Sequence, residues 1–153
     1  MWFSRKQAVK APSKSTAGGA AALPQQVTTK SRGDAAESAA RDYLVCAGLR
    51  WIESNYRTPG RGGGEIDLVM RAPDGTLVFV EVRQRSSASH GGAGASISAA
   101  KQRRIIFAAR HYLMRFASLP PCRFDVVLVH GALSGGESPQ AAIEWLPAAF
   151  DAS

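Results

Sequence analysis

The stretch GEIDLVMRAPDGTLVFVEVR, residues 64 to 83, constrains the fold more than any other part of the chain. Two hydrophobic runs flank Ala72-Pro73-Asp74-Gly75. Proline suits the first central position of a type I turn, and Gly75 suits the left-handed position that follows in a three-residue hairpin loop with a G1 bulge. That turn pairs Ala72 with Thr76 and so fixes the register of everything upstream. Ile66 then opposes Val82, Leu68 opposes Val80 and Met70 opposes Val78 on one wholly apolar face. The other face reads Val69 with Phe79, Asp67 with Glu81 and Glu65 with Arg83. Carboxylates opposed at ~5 Å between Cβ atoms are destabilising unless something sits between them.

Charged side chains are rarely buried without a partner or a cation, so this face is either a salt-bridge cluster or a site. In the salt-bridge reading Glu65 pairs with Arg83, and Asp67 takes another cation such as Arg61. An ion pair does not remove the like-charge fault between Asp67 and Glu81, whereas a divalent cation does. Mg²⁺ takes hard oxygen ligands, usually one or two carboxylates plus waters and phosphate, and two opposed acids supply that minimum.

The rest of the chain supplies layers for the hairpin. Residues 1–30 are rich in Ala, Ser, Thr, Lys, Pro and Gln without periodicity and predict a disordered basic tail. Residues 31–150 predict a single domain. Ser31 and Asp34 fit the start of a helix over 32–47 that buries Ala36, Ala39, Ala40, Tyr43 and Ala47, with Glu37 at the margin of that stripe near Leu44. A strand over 49–56 and the turn TPGRGGG precede the hairpin. After it, QRSSASHGGAGASIS has the composition of a mobile segment able to cover a ligand. It lacks the Gly-Lys-Ser/Thr ending of a phosphate-binding P-loop. A second helix runs from Ser98 to Ala117 with Ile105, Ala108, Ala109, Tyr112, Leu113 and Phe116 inward. CRFDVVLV is a strong strand and AAIEWLP a weaker last one. Helix, three strands, helix, strand predicts an α/β sandwich with an antiparallel hairpin and a strand that returns through a crossover helix.

Charge needs its distribution rather than its total. The chain carries a formal net charge of +7, of which the first thirty residues hold five basic side chains and no acid. Between Arg83 and Phe124 there are eight basic residues and no Asp or Glu. That bias fits either a polyanion partner beside the hairpin or a solvated basic helix face. Apolar runs are far short of the ~20 residues a bilayer requires, and no signal segment is evident, which predicts a cytoplasmic protein without a membrane partner. Cys46 and Cys122 lack metal-ligand spacing and predict small buried hydrophobes. Trp51 and Trp145 fit strand packing. His90, His111 and His130 are scattered, and Asp125 is a candidate to orient Arg123 or Arg83.

The ordered combination of GEIDLV, the fourteen residues from Asp67 to Glu81 in FVEVR, the upstream helix Glu37, KQRRIIFAARHYL and CRFDVVLV resembles the YraN-like family of bacterial proteins over residues 31–150. The resemblance implies a restriction-endonuclease-like three-layer α/β sandwich with a mixed central sheet, similar in core to archaeal Holliday-junction resolvases. It implies a PD-(D/E)xK site: Asp67 as first acid, Glu81 as second, Arg83 at the basic position normally held by lysine, and Glu37 as the helix acid. Asp67, Glu81 and the Val82 carbonyl would hold Mg²⁺ or Mn²⁺ for phosphodiester hydrolysis in DNA, branched DNA included. Arg85, Lys101, Arg103 and Arg104 would meet the nucleic acid, and a homodimer stays open. Two departures stand out. Ile66 replaces the proline of the PD dipeptide, and Arg83, always protonated, cannot act as a general base, which keeps a binding module without turnover as the alternative.

Overall fold

The turn forms as its chemistry predicts. Ala72 N–H donates to the Thr76 carbonyl and Gly75 N–H to the Ala72 carbonyl, both at 2.9 Å, and Gly75 takes φ +90°. The Asp74 carboxylate accepts the Thr76 N–H at 2.9 Å. The computed structural model describes residues 29–85, 97–131 and 143–152. They form α1 (Thr29–Cys46), β1 (Arg50–Arg57), β2 (Glu65–Arg71), β3 (Leu77–Arg85), α2 (Ala99–Leu113), β4 (Cys122–His130) and β5 (Ile143–Phe150). The strands lie in the order β1-β2-β3-β4-β5, antiparallel except for the parallel β3–β4 pair that α2 connects. A parallel pair needs such a crossover, and α2 supplies it.

Helices on opposite faces make three layers. On one face α2 brings Ile105, Ala108, Ala109 and Tyr112 onto Val69, Phe79, Phe124 and Val126. On the other, α1 brings Ala36, Ala40 and Leu44 onto Leu68, Met70, Val78, Val80 and Val127. Alternate strand residues thus serve opposite cores, as the period of two requires. The α1 stripe is centred four residues apart on 36, 40 and 44, so Leu44 is fully buried while Ala39 and Tyr43 are half-buried and Ala47 is exposed. The stripe expected from sequence was turned by part of a helical step.

Other expectations move as well. Helix α1 begins at Thr29, so Ser31 lies within it, and the remainder of the predicted tail lies outside the described residues. Most of the Gly/Ser-rich segment, with His90, also lies outside them. Ser98 does start α2, its Oγ accepting the Lys101 N–H at 3.2 Å. The helix stops at Leu113 rather than Ala117, where the N–H groups of Met114, Arg115 and Phe116 turn to carbonyls three residues back. Cys46 and Cys122 are exposed and free rather than buried. Cys46 is two residues past Leu44 and so points away from the sheet, and Cys122 is the first residue of its strand. Trp51 is exposed, because β1 is an edge strand and its pairing with β2 shifts register between Trp51 and Glu53. Trp145 is half-buried, as strand packing predicts. No helix among the described residues is long and apolar enough to cross a membrane.

Candidate functional site

The hairpin ladder follows the predicted register from Arg71–Leu77 through Met70–Val78 and Val69–Phe79 to Leu68–Val80, and there it ends. Beyond that pair the two strands stay with their outer neighbours. Ile66 and Glu65 remain paired to Tyr56 and Arg57 on β1, while Glu81, Val82 and Arg83 remain paired to Val126, Val127 and Leu128 on β4. A backbone N–H released from a ladder needs another acceptor. The Asp67 carboxylate provides it, taking the Val82 N–H on Oδ2 at 2.8 Å. Asp67 therefore stands in the gap where β2 and β3 part. The same parting corrects the predicted apolar face: Ile66 packs in the α2-side core rather than with Leu68 and Met70.

Glu81 faces this gap from β3 and is 7% exposed. Lys101 Nζ, one turn into α2, approaches its Oε1 at 3.5 Å. Among the described residues Oε2 is buried without a hydrogen-bond partner when the group is ionised. Burial, then the Asp67 charge, then a hydrogen bond donated to Asp67 push the Glu81 carboxyl up to about 8, with Lys101 opposing. Asp67 is also raised, burial being the main cause and the Val82 N–H opposing it. Two acids in one largely buried gap thus share a proton or accept a cation.

The remaining predicted residues divide. Glu37 is half-buried, and burial followed by the charge of Asp67 raises its carboxyl while the Asn55 side chain opposes. It lies near the pair without completing a cluster: among the described residues no three His, Cys, Asp or Glu side chains are grouped to hold a metal ion. Glu65 takes its cation from β1, Arg57 Nη2 lying 3.4 Å from Oε1. Arg83 and Arg85 are half-buried at the end of β3, and the Arg85 carbonyl accepts the Gly131 N–H at 2.9 Å. Arg103 and Arg104 are exposed on α2. Lys101, expected at a nucleic-acid surface, is half-buried and pairs with Glu81.

Two features escaped sequence reasoning. Gly64 packs so tightly on α2 that a Cβ would lie 2.0 Å from the Arg104 carbonyl oxygen, and the run of three glycines was the available signal. Thr58 Oγ1 accepts the Gly64 N–H at 2.8 Å and closes that loop. Asp125, read from the sequence as a candidate to orient Arg123 or Arg83, does hold Arg123: it is fully buried and accepts from Arg123 Nε at 3.1 Å, Trp145 Nε1 at 2.9 Å and Ala148 N–H at 2.9 Å, which makes it a structural anchor of the β4–β5 pair. His130 pairs with Glu144 at 3.5 Å and His111 hydrogen-bonds with Tyr56, both outside the acid pair.

The donor set fits a hard divalent cation, since a carboxylate pair with an unpartnered buried oxygen is what such an ion satisfies. A family model described as uncharacterised protein family UPF0102 matches residues 36–129, a span that includes Glu37, Asp67, Glu81, Arg83 and Lys101. The chain belongs to the UPF0102 family. A UPF0102 protein of Polaromonas naphthalenivorans (strain CJ2) is 94% identical over 153 residues, covering 100% of both chains. Another, from Polaromonas sp. (strain JS666 / ATCC BAA-500), is 76% identical over the same 153 residues. A third, from Albidiferax ferrireducens, is 64% identical over 135 residues, 86% of this chain and 98% of its own. The likeness to YraN-like proteins read from the sequence is thus a family relationship, and the two Polaromonas relatives span the whole described fold.

Proposed function

We propose that this UPF0102 chain is a metal-dependent nuclease-like protein that hydrolyses phosphodiester bonds in DNA, with branched DNA among its substrates. The observation that carries the reading is the pairing of half-buried Asp67 with buried Glu81 at the parting of β2 and β3, with Glu81 Oε2 left without a partner among the described residues. Asp67, Glu81 and the Val82 carbonyl are the groups that would hold Mg²⁺ or Mn²⁺. Such an ion, when bound, supplies Lewis-acid polarisation of a phosphoryl oxygen and lowers the pKa of water.

The chain's own residues do the rest. The Val82 N–H fixes the Asp67 carboxylate, and Lys101 lies 3.5 Å from Glu81 Oε1 and offsets its charge. Arg83 orients the phosphate, for which a permanently charged planar fork is suited. Glu37, raised by burial, exchanges a proton at the margin of the site. Arg85, Arg103 and Arg104 supply positive charge for the strand. The second reading, nucleic-acid binding without turnover, draws on Arg83, which cannot accept a proton where lysine is usual.

Purified protein incubated with Mg²⁺ or Mn²⁺ and with single-stranded, duplex and four-way-junction DNA and RNA tests both. Cleavage that Asp67→Asn and Glu81→Gln each abolish supports the nuclease reading. Cleavage that survives both substitutions overturns it, and binding without any cleavage selects the second reading.

A further inference from the structure

The loop between β1 and β2 leans on α2 and leaves an open pocket of about 470 Å³ lined by Arg57, Thr58, the glycines of residues 60–64, Glu65 and Arg104. Its construction is specific. Gly64 lies against the Arg104 carbonyl and Ala108, Gly63 lies against Thr58, and Gly60 and Gly62 adopt φ of +88° and +74°. A side chain at 63 or 64 would collide, and one at 60 or 62 would be strained. Glycine therefore sets both the position of the loop and its bare floor. Arg61 and Gly62 form a hydrogen-bonded turn between Gly60 and Gly63, and among the described residues no backbone hydrogen bond engages the N–H groups of Gly60, Arg61 or Gly62. A glycine turn with free N–H groups in a pocket lined by two arginines has the chemistry of an anion-binding concavity.

Arg57 pairs with Glu65 through one nitrogen, yet its side chain is 72% exposed and keeps other donors for a ligand. Glu65 is two residues from Asp67 on β2, roughly 7 Å along the strand, so the pocket adjoins the acid pair. That separation is on the order of the distance between neighbouring phosphates along one nucleic-acid strand. We infer that the glycine loop, Arg57 and Arg104 form a phosphate subsite that holds the nucleic-acid strand beside the phosphodiester presented to Asp67 and Glu81. The inference rests on the nuclease reading for the neighbouring site, and its ligand is a backbone phosphate of a strand rather than a free phosphate compound.

The test is fluorescence anisotropy of a labelled single-stranded oligonucleotide bound by the full chain in chelator, where no cleavage intervenes. Arg57→Ala and Arg104→Ala are each expected to weaken binding about three- to tenfold and to lower the salt-dependence slope by about 1. Arg110→Ala, an equal charge change at an exposed position on α2 away from the pocket, is expected to change affinity by less than about twofold. Thermal melts confirm that each variant is folded. Arg57 and Arg104 variants that bind like the Arg110 variant overturn the subsite. Unlabelled oligonucleotide is expected to displace the probe where inorganic phosphate and a mononucleotide at equal phosphate concentration do not. Equal displacement by all three overturns the assignment to a strand. Asp67→Asn separates the two claims: lost cleavage with unchanged Arg104-dependent binding keeps the subsite whatever the chemistry, and Asp67-dependent cleavage without Arg104-dependent binding removes the subsite alone.

Discussion

Glu81 keeps its proton up to about pH 8 in the folded chain, against an ordinary value of 4.5, because it is buried beside Asp67. Between those values the unfolded chain has released the proton and the folded chain still binds it, so stability falls as pH rises and the loss is complete above about 8. Asp67 and Glu37 are raised too and add slopes of the same sign. In chelator, the melting temperature of the wild type is expected to fall by several degrees from about pH 5 to pH 8.5, and Glu81→Gln to flatten most of that decline. An unchanged slope in the variant would place the titration elsewhere. Arg83 carries a separate prediction. Arg83→Lys puts a group able to release its proton where the guanidinium cannot, and is expected to raise cleavage by about tenfold or more while altering DNA affinity little. A rate that drops together with affinity would assign Arg83 to holding phosphate alone.

Two elements depend on close approach. Gly64→Ala would drive a methyl group into the Arg104 carbonyl at 2.0 Å, with Ala108 Cβ at 2.9 Å, so either the β1–β2 loop or α2 must move. A loss of about 2 kcal/mol or more is expected, read as a lower urea midpoint at unchanged m value. At the other end of the sheet Asp125→Ala would leave the Trp145 indole, the Ala148 amide and the Arg123 guanidinium without their acceptor. About 3 kcal/mol is expected in the same measurement. These positions also show what a sequence discloses. The β2–β3 register was legible because turn chemistry fixes it locally, and the strand and helix order followed from periodicity. The parting of the hairpin at Asp67 was not, since it results from β1 and β4 holding the two strands apart. Lys101 reached the site through a crossover whose landing point no local rule supplies. Ile66 and Trp51 were misplaced for the same reason: alternation is a rule for strands whose ladders continue.

Charge is distributed unevenly across the molecule, and that bears on what the acid pair can bind. Of the eight basic residues between Arg83 and Phe124, Arg115 lies 3.8 Å from Glu53 and over the Tyr112 ring, and Arg123 is committed to Asp125. Lys101 offsets part of the charge of Glu81 from 3.5 Å, but Asp67 and Glu81 together bear two negative charges when ionised. Above pH 8, where the shared proton is lost, folding holds these like charges together and a divalent cation relieves the repulsion. Binding to the folded chain alone stabilises it by mass action, by about 1.4 kcal/mol for each tenfold rise in cation above its dissociation constant. A chain of 153 residues is then expected to gain roughly 3–5 °C in melting temperature per decade of Mg²⁺ or Mn²⁺ at pH 8.5, with a smaller gain at pH 6, where the proton competes. Asp67→Asn and Glu81→Gln should each remove the dependence on cation, whereas Asp125→Asn, altered at a buried carboxylate outside the site, should lower the melting temperature but preserve it. Equal cation dependence in the wild type and both acid-pair variants would mean that the ion binds elsewhere, and the reading of this gap as a metal site would fall with it.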